Sequence, residues 1–220
     1  MRDVTDGHWV RWHEAYEDPG SALSQRLAVV NARLREAIDS APPGDVRVTS
    51  MCAGQGRDVI DVLADHPGRA EVTAHLVELD AQLVVDARQS AAAAGLDGIT
   101  VSRGDAALTS AYAPAVPADV VLVCGVFGNI TGDDVARTVE ELPHLCAEGA
   151  TVLWTRHRRS PDLTPSIREW FEAAGFAELS FDSPAGTFAV GVHRLEVLGR
   201  PFRPGRRMFT FVGDGVLPPN

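Results

Sequence analysis

The chain of 220 residues contains no lysine; all twenty of its basic side chains are arginine. That absence removes Schiff-base chemistry, a pyridoxal-phosphate attachment point, a Walker A phosphate clamp and a lysine general base. What remains is the planar donor fork of arginine. Cysteine is scarce as well. Cys52, Cys124 and Cys146 are odd in number, widely spaced and in no C-x-x-C arrangement, so neither a disulfide framework nor a metal site is expected, and a reducing cytoplasm is the simplest home. Basic charge is outnumbered, thirty acids to twenty bases, giving a formal net charge of −10 and an isoelectric point near 5.1. A phosphate backbone wants a basic face, so no nucleic-acid partner is expected. No apolar run reaches the length of a membrane span, and residues 1–8 hold no apolar signal region, so no membrane partner is expected and the protein should be soluble.

What is present is organised around Val46 to Val59, an apolar strand that breaks into a small-residue loop and then enters a helix. Val46 and Val48 suit a strand. Cys52 to Gly56 carry no large side chain except Gln55, and Asp58 to Leu63 resume at helical apolar spacing. Strand, tight turn and helix N-terminus bring main-chain N–H groups and the positive end of a helix dipole to one place, where a polar or anionic group can sit. Gly54 and Gly56 let the backbone approach it closely. Alone, this glycine pair is equally an ordinary turn, and Val59 stands where the dinucleotide fingerprint G-x-G-x-x-G wants a third glycine. The next strand, Val72 to Asp80, adds a carboxylate. Glu78 follows Gly56 by twenty-two residues, near the spacing at which a second-strand acid takes ribose hydroxyls, although a solvated acid at a strand end would read the same way.

Before this core, residues 8–18 are dense in aromatics and histidines, and Pro19-Gly20 breaks the chain. Ser21 can cap a helix in which Leu23, Leu27, Val30, Leu34 and Ile38 recur at three- and four-residue steps. Residues 1–43 are therefore expected to form an N-terminal helical cap, and residues 44–220 the main unit, in one structural domain overall. Trp9, Trp12 and Tyr16 could equally just pack that cap down. Further on, helices are expected at Asp58 to Asp65, Leu83 to Ala94, Val135 to Cys146 and Pro165 to Ala174, the last with Gly175 as its C-cap. Strands are expected at Ile99 to Arg103, Asp119 to Val123, Gly149 to Arg156, Ala177 to Phe181 and Phe188 to Leu195. The last two are joined by so short a turn that they must be antiparallel. Alternation of strands with helices elsewhere calls for a doubly wound, mostly parallel α/β sheet covered on both faces. Ligands in such sheets lie beyond the strand C-termini, where Gly54, Glu78, Asp105 and Cys124 would all fall. The tail from Arg200 to Val212 holds four arginines, and Met208 to Val212 could add an edge strand.

Ser50-x-Cys52-x-Gly54-x-Gly56 resembles the (Asp/Glu)-x-Gly-x-Gly-x-Gly motif of class I S-adenosylmethionine-dependent methyltransferases, with Glu78 at the ribose acid. Gly104-Asp105-Ala106 resembles that family's adenine-binding Gly-Asp-Ala. Ala118 to Ile130 resembles its fourth strand and following loop, and the likeness runs from about residue 44 to 195. It departs where Ser50 replaces the acid that helps hold the methionine amino group and Cys52 replaces the first glycine; an uncharged serine makes a weaker bond.

The resemblance implies a Rossmann-like seven-stranded fold with the last strand antiparallel, and S-adenosylmethionine as cofactor. It further implies a lid from the N-terminal cap. By it, Cys52, Ala53, Gly54 and Gly56 lie along the methionine end, and Glu78 chelates the ribose hydroxyls. Leu79 packs on the adenine, Asp105 accepts from its amino group with Ala106 as a further cofactor contact, and Cys124, Gly125 and Val126 border the methionine portion. Asp105 could also be a turn acid and Cys124 a buried small hydrophobe. Candidate bases for the acceptor are His13, Tyr16, Asn129 and His157, each from a segment expected to border its pocket; the arginines around His157 could receive an acidic substrate or form a solvated loop. Three classes follow. A methyltransferase acting on a small molecule, monomeric or homodimeric, leads. The others are an NAD-dependent oxidoreductase, which shares the sheet and the ribose acid, and a non-catalytic S-adenosylmethionine-fold binding protein, suggested by Ser50 and Cys52.

Overall fold

The computed structural model describes residue 18 and residues 20–212. The expected aromatic segment, with His13 and Tyr16, falls outside the described residues apart from Asp18. Chain order gives α1 (Ala22–Asp39), β1 (Val46–Met51), α2 (Arg57–Ala64), β2 (Val72–Glu78), α3 (Ala81–Ala93), β3 (Ile99–Arg103) and β4 (Ala118–Val123), then α4 (Gly132–Glu141), β5 (Cys146–His157), α5 (Thr164–Ala173), β6 (Phe176–Asp182) and β7 (Phe188–Leu195).

The seven strands form one sheet in the order β3-β2-β1-β4-β5-β7-β6. β1 to β5 run parallel, and β7 is inserted antiparallel to both β5 and β6. Alternation along the central strands sends side chains to two cores. Val120 and Leu122 of β4 join Val48, Leu153 and Val190 under α1, α2 and α3. Val121 and Val123 join Trp154, Phe127, Phe171 and Tyr112 under α4 and α5. Such period-two burial on both faces is what a covered parallel sheet requires.

Local chemistry sets the helix starts. The Ser21 hydroxyl accepts from the Ser24 N–H, and Val30, Leu34, Ala37 and Ile38 seat α1 on the sheet in the same layer as α2 and α3. The expected cap helix is thus built into a core layer. Asp80 accepts from the N–H groups of Gln82 and Leu83, starting α3 two residues ahead of the expected Leu83.

Two expectations are corrected. The helix expected from Val135 to Cys146 ends at Glu141, because Pro143 lies in the Leu142–His144 turn that follows; Cys146 opens β5 and pairs with Ala118 across an irregularity in register. Met208 to Val212 does not add an edge strand. The tail crosses the α4 side with Met208 and Phe209 fully buried, and makes only isolated bridges, Leu108 with Arg207 and Ile130 with Phe211.

Candidate functional site

Parallel pairing of β1 with β2 and β4 brings three strand ends together: Met51 lies beside Val77, and Ser50 beside both Leu76 and Leu122. The chain then turns sharply. Cys52 has φ 53°, the left-handed conformation, so a cysteine occupies the backbone state for which a glycine is suited. The Ala53 N–H donates to the Val77 carbonyl at 3.0 Å, and the Gly54 N–H donates to Glu78 Oε2 at 2.8 Å. Glu78 Oε1 accepts from Leu79 and Asp80 N–H at 2.8 and 2.9 Å. The carboxylate is thereby locked at the junction of the β1 loop and the β2 loop, with acceptor capacity left on Oε2.

These loops surround a cavity of about 760 Å³ lined by Cys52, Ala53, Gly54, Glu78, Leu79, Asp105, Ala106, Cys124 and Gly125 among others. Nine of the eleven residues singled out for cofactor contact therefore line one cavity. The remaining two lie behind it. Gly56 has φ 70°, and a Cβ there would come within 2.7 Å of Leu76 Cδ2 and 3.0 Å of Ile60 Cδ1, so its role in the geometry is to let α2 leave the loop against β2. Val126 is fully buried in the α4-side core. The Gly125 N–H is held by Thr155 Oγ1 at 2.9 Å. Burial, with the charges of Glu78 and Asp105 behind it, pushes the Cys52 thiol well above its usual range; burial does the same to Cys124, so both stay protonated.

Ser50 is not among the residues lining the cavity; it is buried, and its hydroxyl has no partner among the described residues. A different acid lines the cavity. Asp58, in the first turn of α2, is half-buried, accepts from the Val59 N–H at 2.8 Å, and is pushed up to about 6 by burial. The charge of Arg26, reaching from α1, works the other way on it. Arg26 lines the same cavity, as does Arg57. Sequence reading missed Asp58 because an acid in a first helical turn is an ordinary partner for the helix dipole.

Asp105 accepts from the Ala107 N–H through Oδ1 at 3.0 Å, and Arg207 of the tail donates to its Oδ2 at 2.8 Å. Phe211, also from the tail, stands in the cavity wall, another contributor that the sequence reading did not find. Of the candidate bases within the described residues, Asn129 closes a turn by donating from Nδ2 to the Gly125 carbonyl at 2.7 Å. His157 Nδ1 accepts from the Arg159 N–H at 3.3 Å, and its ring lies against Gly128 with a backbone hydrogen bond there. Burial, then Arg156 and Arg159, lower its pKa and keep it neutral. It faces a second hollow of about 540 Å³ lined by Arg26, Arg158, Arg159 and Phe188, and Arg26 is common to both cavities.

Residues 21–169 match a family model described as "putative methyltransferase". The chain belongs to this methyltransferase family. No curated protein sequence matches it. Solved structures share its fold. An O-methyltransferase family protein from Burkholderia thailandensis superposes with TM-score 0.65 at 20% identity, over 88% of this chain and 62% of that one. Magnesium protoporphyrin IX methyltransferase from Synechocystis PCC 6803, solved with bound S-adenosylmethionine, gives 0.63 at 14% identity over 86% and 91%. An O-methyltransferase family 2 protein from Planctomyces limnophilus DSM 3776, in complex with apigenin, gives 0.60 at 18% over 79% and 59%. This family member thus spans less than two thirds of two of those three relatives. Seven strands with the last antiparallel are what the sequence resemblance implies; the place of β7 between β5 and β6 is a finding of the structure, and it differs from the 3-2-1-4-5-6 order of dinucleotide-binding folds.

Proposed function

We propose that this family member binds S-adenosylmethionine in the larger cavity and methylates a small molecule presented from the neighbouring hollow. The observation that carries this reading is the contact of Gly54 N–H with the Glu78 carboxylate inside a cavity that also contains Asp105 and Gly125. A volume of about 760 Å³ suits a cofactor of that size, since ligand sites run from roughly 300 to 1,000 Å³.

In this reading Glu78 accepts both ribose hydroxyls, and the Gly54 loop follows the methionine end. Asp58 takes the place of the acid missing at Ser50 and pairs with the ammonium, while Arg26 brings its guanidinium toward the carboxylate. The cofactor, when bound, supplies an electrophilic methyl on sulfur. The chain's task is then alignment and exclusion of water, which can contribute several kcal/mol (about 7 or more) without a covalent nucleophile. His157, already engaged on the protein side, fixes the loop after β5 against the loop after β4 and shapes the acceptor hollow. That hollow is lined by three arginines and, among the described residues, by no acid, Arg158 being held by Asp162 at 2.8 Å from outside the lining; this balance of charge favours an acceptor with a negative group.

Calorimetric titration with S-adenosylhomocysteine, S-adenosylmethionine and NAD tests the reading. The two adenosyl ligands should bind, and Glu78→Gln should weaken both by about 10- to 100-fold, the worth of a hydrogen bond to a charged group. Heat from NAD with none from either adenosyl ligand would leave the oxidoreductase class in its place.

A further inference from the structure

The chain beyond β7 lies outside the region matched by the family model, yet it returns to the cavity. Its route is fixed by main-chain bonds. Arg200 N–H donates to the Pro143 carbonyl at 2.9 Å, Thr109 N–H to the Arg206 carbonyl at 2.9 Å, Met208 N–H to the Ala107 carbonyl at 2.8 Å, and Val212 N–H to the Asn129 carbonyl at 3.1 Å. The tail therefore ties the loop after β3 to the loop after β4. Met208 and Phe209 anchor it with no exposed surface, and the Asp134 carboxylate accepts from the Thr210 N–H at 3.1 Å.

Two of its side chains are aimed differently. Arg207 fixes one oxygen of Asp105, a cavity residue. Phe211 is 44% exposed although the neighbouring Phe209, its edge-to-face partner at 5.4 Å, is buried. Six large hydrophobic residues are exposed among the described residues, and the two on the cavity wall are Phe211 and Leu79, the latter 63% exposed. Apolar surface left open in a cavity with fixed polar groups around it is what a planar, partly apolar ligand would cover.

We propose that the C-terminal segment 200–212 is a working part of the cofactor site: Phe211 supplies an aromatic face for the adenine ring and Arg207 is a positioning residue that orients Asp105 toward it. This rests on the adenosyl reading of the cavity. Ligand and tail then stabilise one another, because coupling between two binding events is reciprocal. Trypsin reports on it directly. The chain has no lysine, Arg200 and Arg203 precede proline and resist cleavage, and Arg206 and Arg207 are about half-exposed or more, at 63% and 49%.

The experiment compares the wild-type protein with Phe211→Ala and Arg207→Gln. Binding of S-adenosylhomocysteine and of adenosine alone is measured by calorimetry, and release of the fragment cut after Arg206 or Arg207 is followed by mass spectrometry. Phe211→Ala should weaken both ligands by about tenfold, the order of a base–aromatic contact, with the melting temperature of the unliganded protein unchanged. Arg207→Gln should weaken both by a smaller factor. S-adenosylhomocysteine at a concentration near its wild-type dissociation constant should slow tryptic release in the wild type and slow it far less in Phe211→Ala. Affinities within twofold of wild type, or release indifferent to ligand, overturn this inference alone. A wild-type protein that binds neither adenosine nor S-adenosylhomocysteine overturns the adenosyl reading, and this inference with it.

Discussion

Asp58→Asn should make the unliganded protein more stable and its ligand site worse. Burial raises the Asp58 carboxyl from an ordinary 3.8 to about 6, so at neutral pH the native state carries a charge that it solvates poorly. The difference of about two units corresponds to roughly 3 kcal/mol at 1.36 kcal/mol per unit, and cavity water reduces that to about 1.5–3 kcal/mol. The sign follows from proton counts. Between pH 3.8 and 6 the native state binds more protons than the unfolded chain, so stability falls as pH rises through that window. Asparagine keeps the acceptor for the Val59 N–H and removes the charge. Above pH 6 the variant should therefore melt about 3–10 °C higher, while below about pH 3.5 the two should coincide. Affinity for S-adenosylhomocysteine should drop by about 10- to 100-fold at pH 7.5, because a charge-assisted bond to the ammonium is lost. Scanning calorimetry across pH with parallel titrations reads both effects. Equal melting temperatures at pH 7.5 would refute the burial argument, and undiminished binding would refute the assignment of Asp58 to the ammonium.

His193 should give an acid limb of opposite sign. It is buried against Phe171 and accepts from the Trp154 indole N–H at 3.2 Å, and burial depresses its pKa from 6.5 to about 4, so stability is lost as pH falls through that range. Urea denaturation at pH 4.5 and 7 should show a smaller difference in His193→Gln, and an unchanged difference would contradict it. At Cys52, with φ 53°, glycine should be more stable than alanine by about 1 kcal/mol in chemical denaturation, and the reverse order would mean the left-handed turn is not populated. Gly56→Ala should lower stability by about 2 kcal/mol or more, since its Cβ would meet Leu76 Cδ2 at 2.7 Å; a loss below 0.5 kcal/mol would show that α2 can shift freely.

The parts of the site readable from sequence are those fixed by local backbone chemistry. The small-residue loop after β1 and the acid ending β2 are set by strand pairing, so spacing alone brings Gly54 to Glu78. Asp58 was not readable because its environment depends on α1 folding across the loop, which no neighbouring residue encodes. The tail misled through its apolar pattern: Met208 to Val212 reads as a strand, but its donors find loop carbonyls and its anchors find the core before any sheet edge. The end of α4 was misread because the apolar spacing continues through Leu142 and Leu145 while Pro143 breaks the hydrogen-bond ladder.

The larger cavity is bordered by Arg26 near one end of the described chain and Phe211 near the other. A molecule touching both would act as a non-covalent clasp across nearly the whole polypeptide. Unfolding from either end would then have to release it first, and occupancy at a hundred times the dissociation constant would add about 2.7 kcal/mol to global stability. Resistance to heat should therefore track the concentration of that molecule around the protein.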